Sequence, residues 1–371
     1  MGDDRLAIGI VGLGTFVELA HFPAYLESPY RELVRIAAIC DLDPKRLAAV
    51  GDKYGLARRF TDHRAMLGGE KLDVVVVATP DHAHTAIALG AIAAGKDVLV
   101  EKPLAMKAVE ARAIADAADQ AGRLVITDFH KREDPCHVEA RTRFRRGDYG
   151  PLQLGWAWMQ DAIAVAAGGF FKSDLASRSS PNWFLGVHFY DLVCFLTGAE
   201  PVEARAVGHR RVLAARGIDT YDAIKADFVF AGGAAVSVTT SWNLPDAAPF
   251  ITRQGIYLQC ARGDIEIDSS RRGFAATTEE GYRFVNPMFL RATPRGYAGY
   301  GVESIGEAMR VFHARARGRP APTAESAHLA TAREGLTATL MAEGVDRSLA
   351  AGRKEEHADV GAPVVLAAIL Q

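Results

Sequence analysis

Cysteine is scarce in this 371-residue chain: Cys40, Cys136, Cys194 and Cys260 stand far apart, with no C-x-x-C pair. That excludes a disulfide framework and a thiolate zinc site as organising elements. Neither sign of charge is in excess, because 43 Lys and Arg face 45 Asp and Glu for a net charge of -2. A broad basic field for nucleic acid or anionic lipid is therefore missing. The one basic cluster, RTRFRR at 141–146, has its arginines at helical spacing and reads as a solvated helix end. No apolar run approaches the ~20 residues that cross a bilayer. The acidic start MGDDRLAIGIVGLG runs straight into a strand pattern, unlike a secretory signal. The expectation is a cytoplasmic protein with neither a nucleic-acid nor a membrane partner.

What is present is core-forming sequence: 49% of residues are hydrophobic and 24% charged, over a length that suggests two domains. The first third alternates short β-branched runs (LAIGIVG, LVRIAAICD, LDVVVVATP, KDVLVEKP, RLVITDF) with amphipathic helical patterns. Continuous apolar strands separated by helices imply a doubly wound parallel sheet covered on both faces. After about residue 128 the rhythm changes to period-two alternation, as in PLQLGWAWMQ, PVEARAVGHRRV and AIKADFVFAGGAAVSVTTSW. That pattern predicts a mostly antiparallel sheet with one open face. Two helices follow, through SIGEAMRVFHARARG and through AHLATAREGLTATLMAEGVDRSLAAG, with RPAPTAES between them as loop and cap. The expected architecture is α/β: a Rossmann-type domain over 1–128 and an α+β domain over 129–371.

Gly12 and Gly14 follow the first strand pattern and open a helix, where a G-x-G turn lets backbone approach a pyrophosphate. The third glycine position of that fingerprint holds Val17, which asks for a wider contact between helix and strand. Asp41 ends the second strand and suits the ribose hydroxyls, whereas a 2′-phosphate would be repelled, so NAD is expected ahead of NADP. A helix cap is the other reading of Asp41, although Asp43 before Pro44 is better placed for that task. On this topology Gly12, Asp41, Thr79, Lys102 and Asp128 all end strands at the sheet edge where ligands bind. Pro103 biases Lys102 toward extended backbone over that crevice. An ammonium there can hydrogen-bond a substrate hydroxyl and favour alkoxide character, with Glu101 orienting it. His82 and His84 form an H-x-H, too few donors for a metal, so no metal is expected.

The segments GIVGLG, CDLDPKR, VVVVATPDHAHTAIALGAIAAGKDVLVEKPLA and LGVHFYDLVCFLTG, in this order over most of the chain, resemble the Gfo/Idh/MocA oxidoreductases, a family of sugar and cyclitol dehydrogenases. The Glu-Lys-Pro segment is the most specific of these motifs and the glycine loop the least. The resemblance implies pyridine-nucleotide hydride transfer at a secondary alcohol of a sugar, glycoside or cyclitol. It also implies a homodimer or homotetramer formed through the C-terminal sheet. The cofactor residues it suggests are Gly12, Gly14, Thr15, Phe16, Asp41, Thr79, Pro80, His84, Glu101 and Lys102, and the family's lysine falls on Lys102.

Histidine is suited to take the hydroxyl proton near neutral pH, and His188 is the candidate, with Asp191 three residues on. A hydrogen-bonded core histidine is the alternative reading. The family commonly carries Asp-x-Gly-x-His here; this chain matches at His188 but has Phe184 at the aspartate position. Asn182 or Asp191 in part replaces it, or Trp183 and Phe184 stack on a sugar or an attached ring. His130 and Arg132 leave the last parallel strand and either reach the substrate or, for Arg132, make a salt link between domains. Two other functions share this pattern: a keto-sugar reductase of a biosynthetic pathway, and a non-catalytic nucleotide or metabolite sensor.

Overall fold

The computed structural model describes residues 3–168, 176, 178–269, 274–279, 281–285, 288–320, 323 and 327–371; most of the expected 319–326 loop lies outside them. Five short apolar runs form the parallel strands β1 (Leu6–Val11), β2 (Val34–Cys40), β4 (Val74–Val77), β5 (Asp97–Glu101) and β6 (Val125–Asp128), and the two-residue β3 (Arg59–Phe60) extends the edge beside β2. Helices α1 (Pro44–Lys53), α2 (His63–Gly69), α3 (His84–Ala93) and α4 (Ala108–Ala121) alternate with them. Among the described residues the sheet has seven strands, in the order Ala330–Thr331, β6, β5, β4, β1, β2, β3. The chain thus starts in the middle, builds to one side through β3, then crosses to β4 and builds to the other. This is a doubly wound sheet, and its order reverses between β1 and β4.

Period-two geometry sends alternate residues of these strands to opposite faces. Leu6, Ile8, Ile10, Val74, Val76, Leu99 and Ile126 join one core cluster. Val11, Val75, Val77, Val98, Val100 and Val125 join the other, beneath Ile87, Ala91, Ile114 and Ala118 of α3 and α4. The cover of the first face departs from expectation. Helix α7 (Tyr300–Ala316), predicted for the second domain, buries Val302, Ile305, Met309, Val311 and Phe312 against it.

The chain therefore divides as residues 1–134 with 288–336, and 135–287 with 337–371. The boundary expected at 128/129 falls at 134/135, and the expected continuous second domain gives up 288–336 to the first unit. The physical reason is that α3 and α4 cover only one face, and the first crossover and α1 cover the other only together with α7. Thr331 and Ala330 add an antiparallel strand beside Ile126 and Thr127.

The second unit is built on α5 (Pro135–Arg146), α6 (Val187–Thr197) and a sheet of β7 (Leu152–Ala162), β8 (Pro201–His209), β9 (Ala223–Phe230), β10 (Ala235–Leu244), β11 (Thr252–Cys260) and β12 (Gly263–Asp268). Its spatial order is β12, β11, β7, β10, β9, β8, continued by short strands at 358–360 and 353–354. Pairing is antiparallel except between β7 and β10. Ile224, Ala226, Phe228 and Phe230 of β9 are buried, and Tyr190 of α6 meets Phe228 edge-on at 4.8 Å between ring centroids. Leu154, Trp156 and Val229 point the other way and stay exposed, with Trp156 stacked on Tyr257 at 4.2 Å. The open face expected from the alternation is present. Helix α8 (Ala332–Ala351) gives residues 332–336 to the first unit and 337–351 to the second. Among the described residues, no helix is long and apolar enough to cross a membrane.

Phe312→Ala should destabilise the first unit by about 3–5 kcal/mol. Hydrogen exchange should quicken in β1 and β4 and stay unchanged in β9 and β10; the reverse pattern would return α7 to the second unit.

Candidate active site

The turn after β1 lies where the sheet order reverses. Gly12 has a φ of +89°, and a Cβ there would sit 2.4 Å from the carbonyl oxygen of Ala78 and 2.8 Å from the Thr79 nitrogen. Both its conformation and the nearness of β4 demand glycine. Gly14 differs, since nothing lies within 4 Å of a Cβ built there; the space before it is open to a ligand. Val17 replaces the third glycine without strain because it is buried in the core, where the chain forms wide turns at Val17–His21 and Pro23–Glu27. Thr15 is exposed and Phe16 half-buried.

Two aspartates after β2 make different contacts. Asp43 caps α1 by accepting from the Lys45 N–H at 2.9 Å. Asp41 accepts from the Leu13 N–H at 2.8 Å through Oδ2 and from the Asp43 N–H at 2.9 Å through Oδ1. This ties the end of β2 to the glycine loop, and each oxygen keeps acceptor capacity. The guanidinium of Arg46 donates to the Leu13 carbonyl at 2.6 Å and to Glu18 at 2.5 Å. At the end of β4 the Thr79 hydroxyl is buried with no hydrogen-bond partner among the described residues, and Pro80 is exposed.

His84 corrects an expectation. It is fully buried, with Nδ1 2.7 Å from the Pro103 carbonyl oxygen and Nε2 2.9 Å from that of Thr79. Its ring fastens the loop after β4 to the loop after β5, which leaves it no nitrogen for a nucleotide. The Lys102–Pro103 peptide is cis, and Lys102 is partly exposed.

Glu101 points inward. Its in-register neighbour on β6 is Asp128, and both side chains are buried. His21 Nε2 lies 2.7 Å from Glu101 Oε1, and His21 Nδ1 lies 3.0 Å from the Tyr25 hydroxyl. Burial, opposed by the Lys102 charge, pushes Glu101 up to about 7. Burial together with the Glu101 charge does the same to Asp128, also to about 7. Burial holds His21 down at about 4, so its ring is neutral at pH 7. A neutral ring donates through one nitrogen and accepts through the other, which matches a carboxylate on one side and a phenol on the other. Donor atoms of His21, Glu101 and Asp128 come within 4.8 Å of one another, close enough for a small cation. The direct hydrogen bond between His21 and Glu101 accounts for that closeness. In the sequence Asp128 stands out only as a strand end, and the signal for the other two is His21 and Tyr25 at i, i+4 on an apolar helical face.

The other expected residues separate. His130 is buried between Phe16, at 6.0 Å, and Tyr300, at 5.6 Å between ring centroids; burial, then the Lys131 and Lys102 charges, lowers its pKa. Arg132 is buried and donates to Glu334 at 2.7 Å and to the Leu329 carbonyl at 3.3 Å. That salt link was expected between domains, yet all three residues belong to the first unit. In the second unit, Asn182 donates to the Ala342 carbonyl at 2.9 Å and to Asp346 at 3.0 Å, and accepts from the Tyr190 hydroxyl at 2.8 Å. Trp183 donates to Asp346 at 2.6 Å. The polar groups of Asn182 and Trp183 therefore anchor the start of α6 to α8, which corrects their expected role as ligands. His188 and Asp191 are buried on α6, and Phe184 is half-buried with its ring 5.8 Å from that of Trp242.

Residues 6–129 match a family model described as an oxidoreductase family with an NAD-binding Rossmann fold, and residues 137–266 match the GFO/IDH/MocA C-terminal domain. An inositol 2-dehydrogenase of Acidothermus cellulolyticus is 33% identical over 247 residues, which is 66% of this chain and 69% of that one. A D-glucoside 3-dehydrogenase of Escherichia coli is 30% identical over 204 residues, 55% of this chain and 57% of that relative's length. Among solved structures, scyllo-inositol dehydrogenase from Lactobacillus casei with bound NAD(H) and scyllo-inositol aligns with a TM-score of 0.76 at 18% identity, covering 98% of this chain and 99% of that one. At that identity the likeness establishes the fold.

The two glycines should respond differently to alanine. Gly12→Ala meets Ala78 and a left-handed backbone, so the melting temperature should fall or the chain fail to fold. Gly14→Ala meets open space and should melt within a degree or two of the parent while binding dinucleotide more weakly. Equal melting temperatures for the two variants would contradict the distinction.

Proposed function

The chain belongs to the Gfo/Idh/MocA oxidoreductase family, and from that premise we propose that it moves hydride between NAD and a secondary alcohol or ketone of a sugar, glycoside or cyclitol. The observation that carries the proposal is the reversal point between β1 and β4. There Gly12 closes the backbone, the space before Gly14 is open and the Thr79 hydroxyl is buried without a partner. These features fit a dinucleotide: backbone at 12–16 receives the pyrophosphate, and Asp41 accepts from the ribose hydroxyls. NAD is favoured over NADP because Asp41 presents negative charge at that position and the nearby Arg46 is engaged by Glu18. When bound, NAD supplies the hydride acceptor at nicotinamide C4.

Lys102 donates to the substrate oxygen and stabilises the negative charge that develops there as the hydroxyl proton leaves. His188 takes the hydroxyl proton in oxidation and returns it in reduction. The names of the relatives, inositol 2-dehydrogenase and D-glucoside 3-dehydrogenase, support a ring-borne secondary alcohol. The half-buried Phe184 beside Trp242 supports an apolar contact where the family carries aspartate, suited to a glycoside. The exposed strip of Leu154, Trp156 and Val229 supports pairing of the open sheet with a second copy, as a homodimer or homotetramer.

A panel of sugars, glycosides and cyclitols should yield at least one that reduces NAD, read by the absorbance of the reduced nicotinamide. With that substrate, Lys102→Ala should lower kcat by about a hundredfold or more and leave NADH affinity within about threefold. Unchanged turnover would remove the lysine from the mechanism. Trp156→Glu should shift the sedimentation coefficient toward that of a monomer; an unshifted oligomer would place the interface elsewhere.

A further inference from the structure

We propose that Glu101 and Asp128 form an acid pair that holds a single proton between them at neutral pH, and that its remaining negative charge positions the Lys102 ammonium. The second half of the inference rests on the function proposed above; the first half stands on the structure alone.

The geometry begins with register. Glu101 and Asp128 are partners on adjacent parallel strands, so their side chains leave the same face of the sheet side by side. Both are buried, and two carboxylates in such a site cannot both ionise cheaply. His21 joins the pair with a 2.7 Å contact to Glu101 and is itself bonded to Tyr25. With Glu101 ionised, His21 donates Nε2–H to it and Tyr25 donates its hydroxyl to Nδ1. With the proton on Glu101 instead, that carboxyl donates to Asp128 through one oxygen and still accepts the His21 Nε2–H through the other, so the bonds to His21 and Tyr25 are unchanged. Both proton placements leave these hydrogen bonds made, so the cluster accommodates a mobile proton without moving a heavy atom.

Groups on every packed element bear on the pair. From the first crossover come His21 and Tyr25, and from β5 the adjoining Lys102, whose charge favours ionised Glu101. Asp81, after β4, opposes ionisation of Glu101. Ser304 on α7 favours ionised Asp128, and Glu133, after β6, is in turn held protonated partly by Asp128. Two buried acids where apolar residues would pack more stably indicate a task other than stability. Lys102 feels the pair's single charge, because its own charge and its backbone N–H both act on the Glu101 carboxyl. A counter-charge there keeps the lysine protonated as the substrate oxygen becomes negative. Glu101, Asp128 and His21 are thus positioning residues.

The test is an infrared titration of the full chain, with neither nucleotide nor sugar, in chelated buffer between about pH 5 and pH 9. It follows the C=O stretch of protonated carboxyls. Glu133 and Asp346 are also pushed up by burial, so parent-minus-variant differences are read. The sign is set by the raised values: the folded pair keeps a proton that the unfolded chain releases near pH 4, and loses it as pH rises through about 7. Asp128→Asn should lower the protonated-carboxyl intensity at pH 7, because one of the two raised acids is gone. Lys102→Met should move the midpoint of the pair upward by about one pH unit, a tenfold gain in proton affinity.

If Asp128→Asn does not fold, Glu101→Gln carries the same comparison. Parent spectra that match the variants at pH 7 would overturn the shared proton, and so would a band that appears only after chelation. A midpoint indifferent to Lys102→Met would overturn the positioning role. Because no turnover is read, failure of the sugar screen leaves these outcomes intact, and the two readings fail separately.

Discussion

β1 has no solvent-facing side. Its residues alternate between two buried clusters while β2 and β4 take its hydrogen bonds from left and right. A strand so enclosed can meet ligand only at its end, and its end is Gly12, packed against the Ala78 carbonyl. Any other residue would hold β1 and β4 apart or force the chain out of its turn. The consequences radiate from there: the loop reaches Asp41 through the Leu13 N–H, and Asp41 in turn leaves Asp43 to start α1. The open space before Gly14 exists because the backbone has already turned aside.

The same enclosure explains the chemistry on the next strands. Parallel strands bury everything up to their last residue, so an acid placed at the end of β5 is desolvated before it is exposed. A second acid in register on β6 doubles the difficulty, and His21 and Tyr25 relieve it by offering hydrogen bonds without charge. Lys102, one residue further along, is partly exposed between buried neighbours. The Glu-Lys step therefore marks a change from charge that is suppressed to charge that is presented.

Much of this was legible in the residues. The β-branched runs, the glycine loop, the strand-end positions of Asp41, Thr79, Lys102 and Asp128, and the alternation of the second sheet all follow from local rules of period and turn chemistry. The Asp43 cap was also readable, because capping depends on the next few residues alone. Asn182 and Trp183 depart from the expected ligand role, and Arg132 takes the salt link that was one of its two readings, because each spends hydrogen bonds on a partner far along the chain; His84 departs for a nearer reason, its ring being held by the Thr79 and Pro103 carbonyls. Arg132 meets Glu334 across 202 residues, and Trp183 meets Asp346 across 163.

By itself the sequence determined the periodicity of the strands, the sheet class of each half and the identity of the residues at strand ends, since these depend on steric and hydrophobic preferences within a few residues. Tertiary structure alone decided that α7 closes the first sheet, where the chain divides into units, and that His21 and Tyr25 join Glu101 and Asp128. Those outcomes depend on which apolar surface is left uncovered and which buried donors come within reach. No local pattern encodes a contact made across 80 residues.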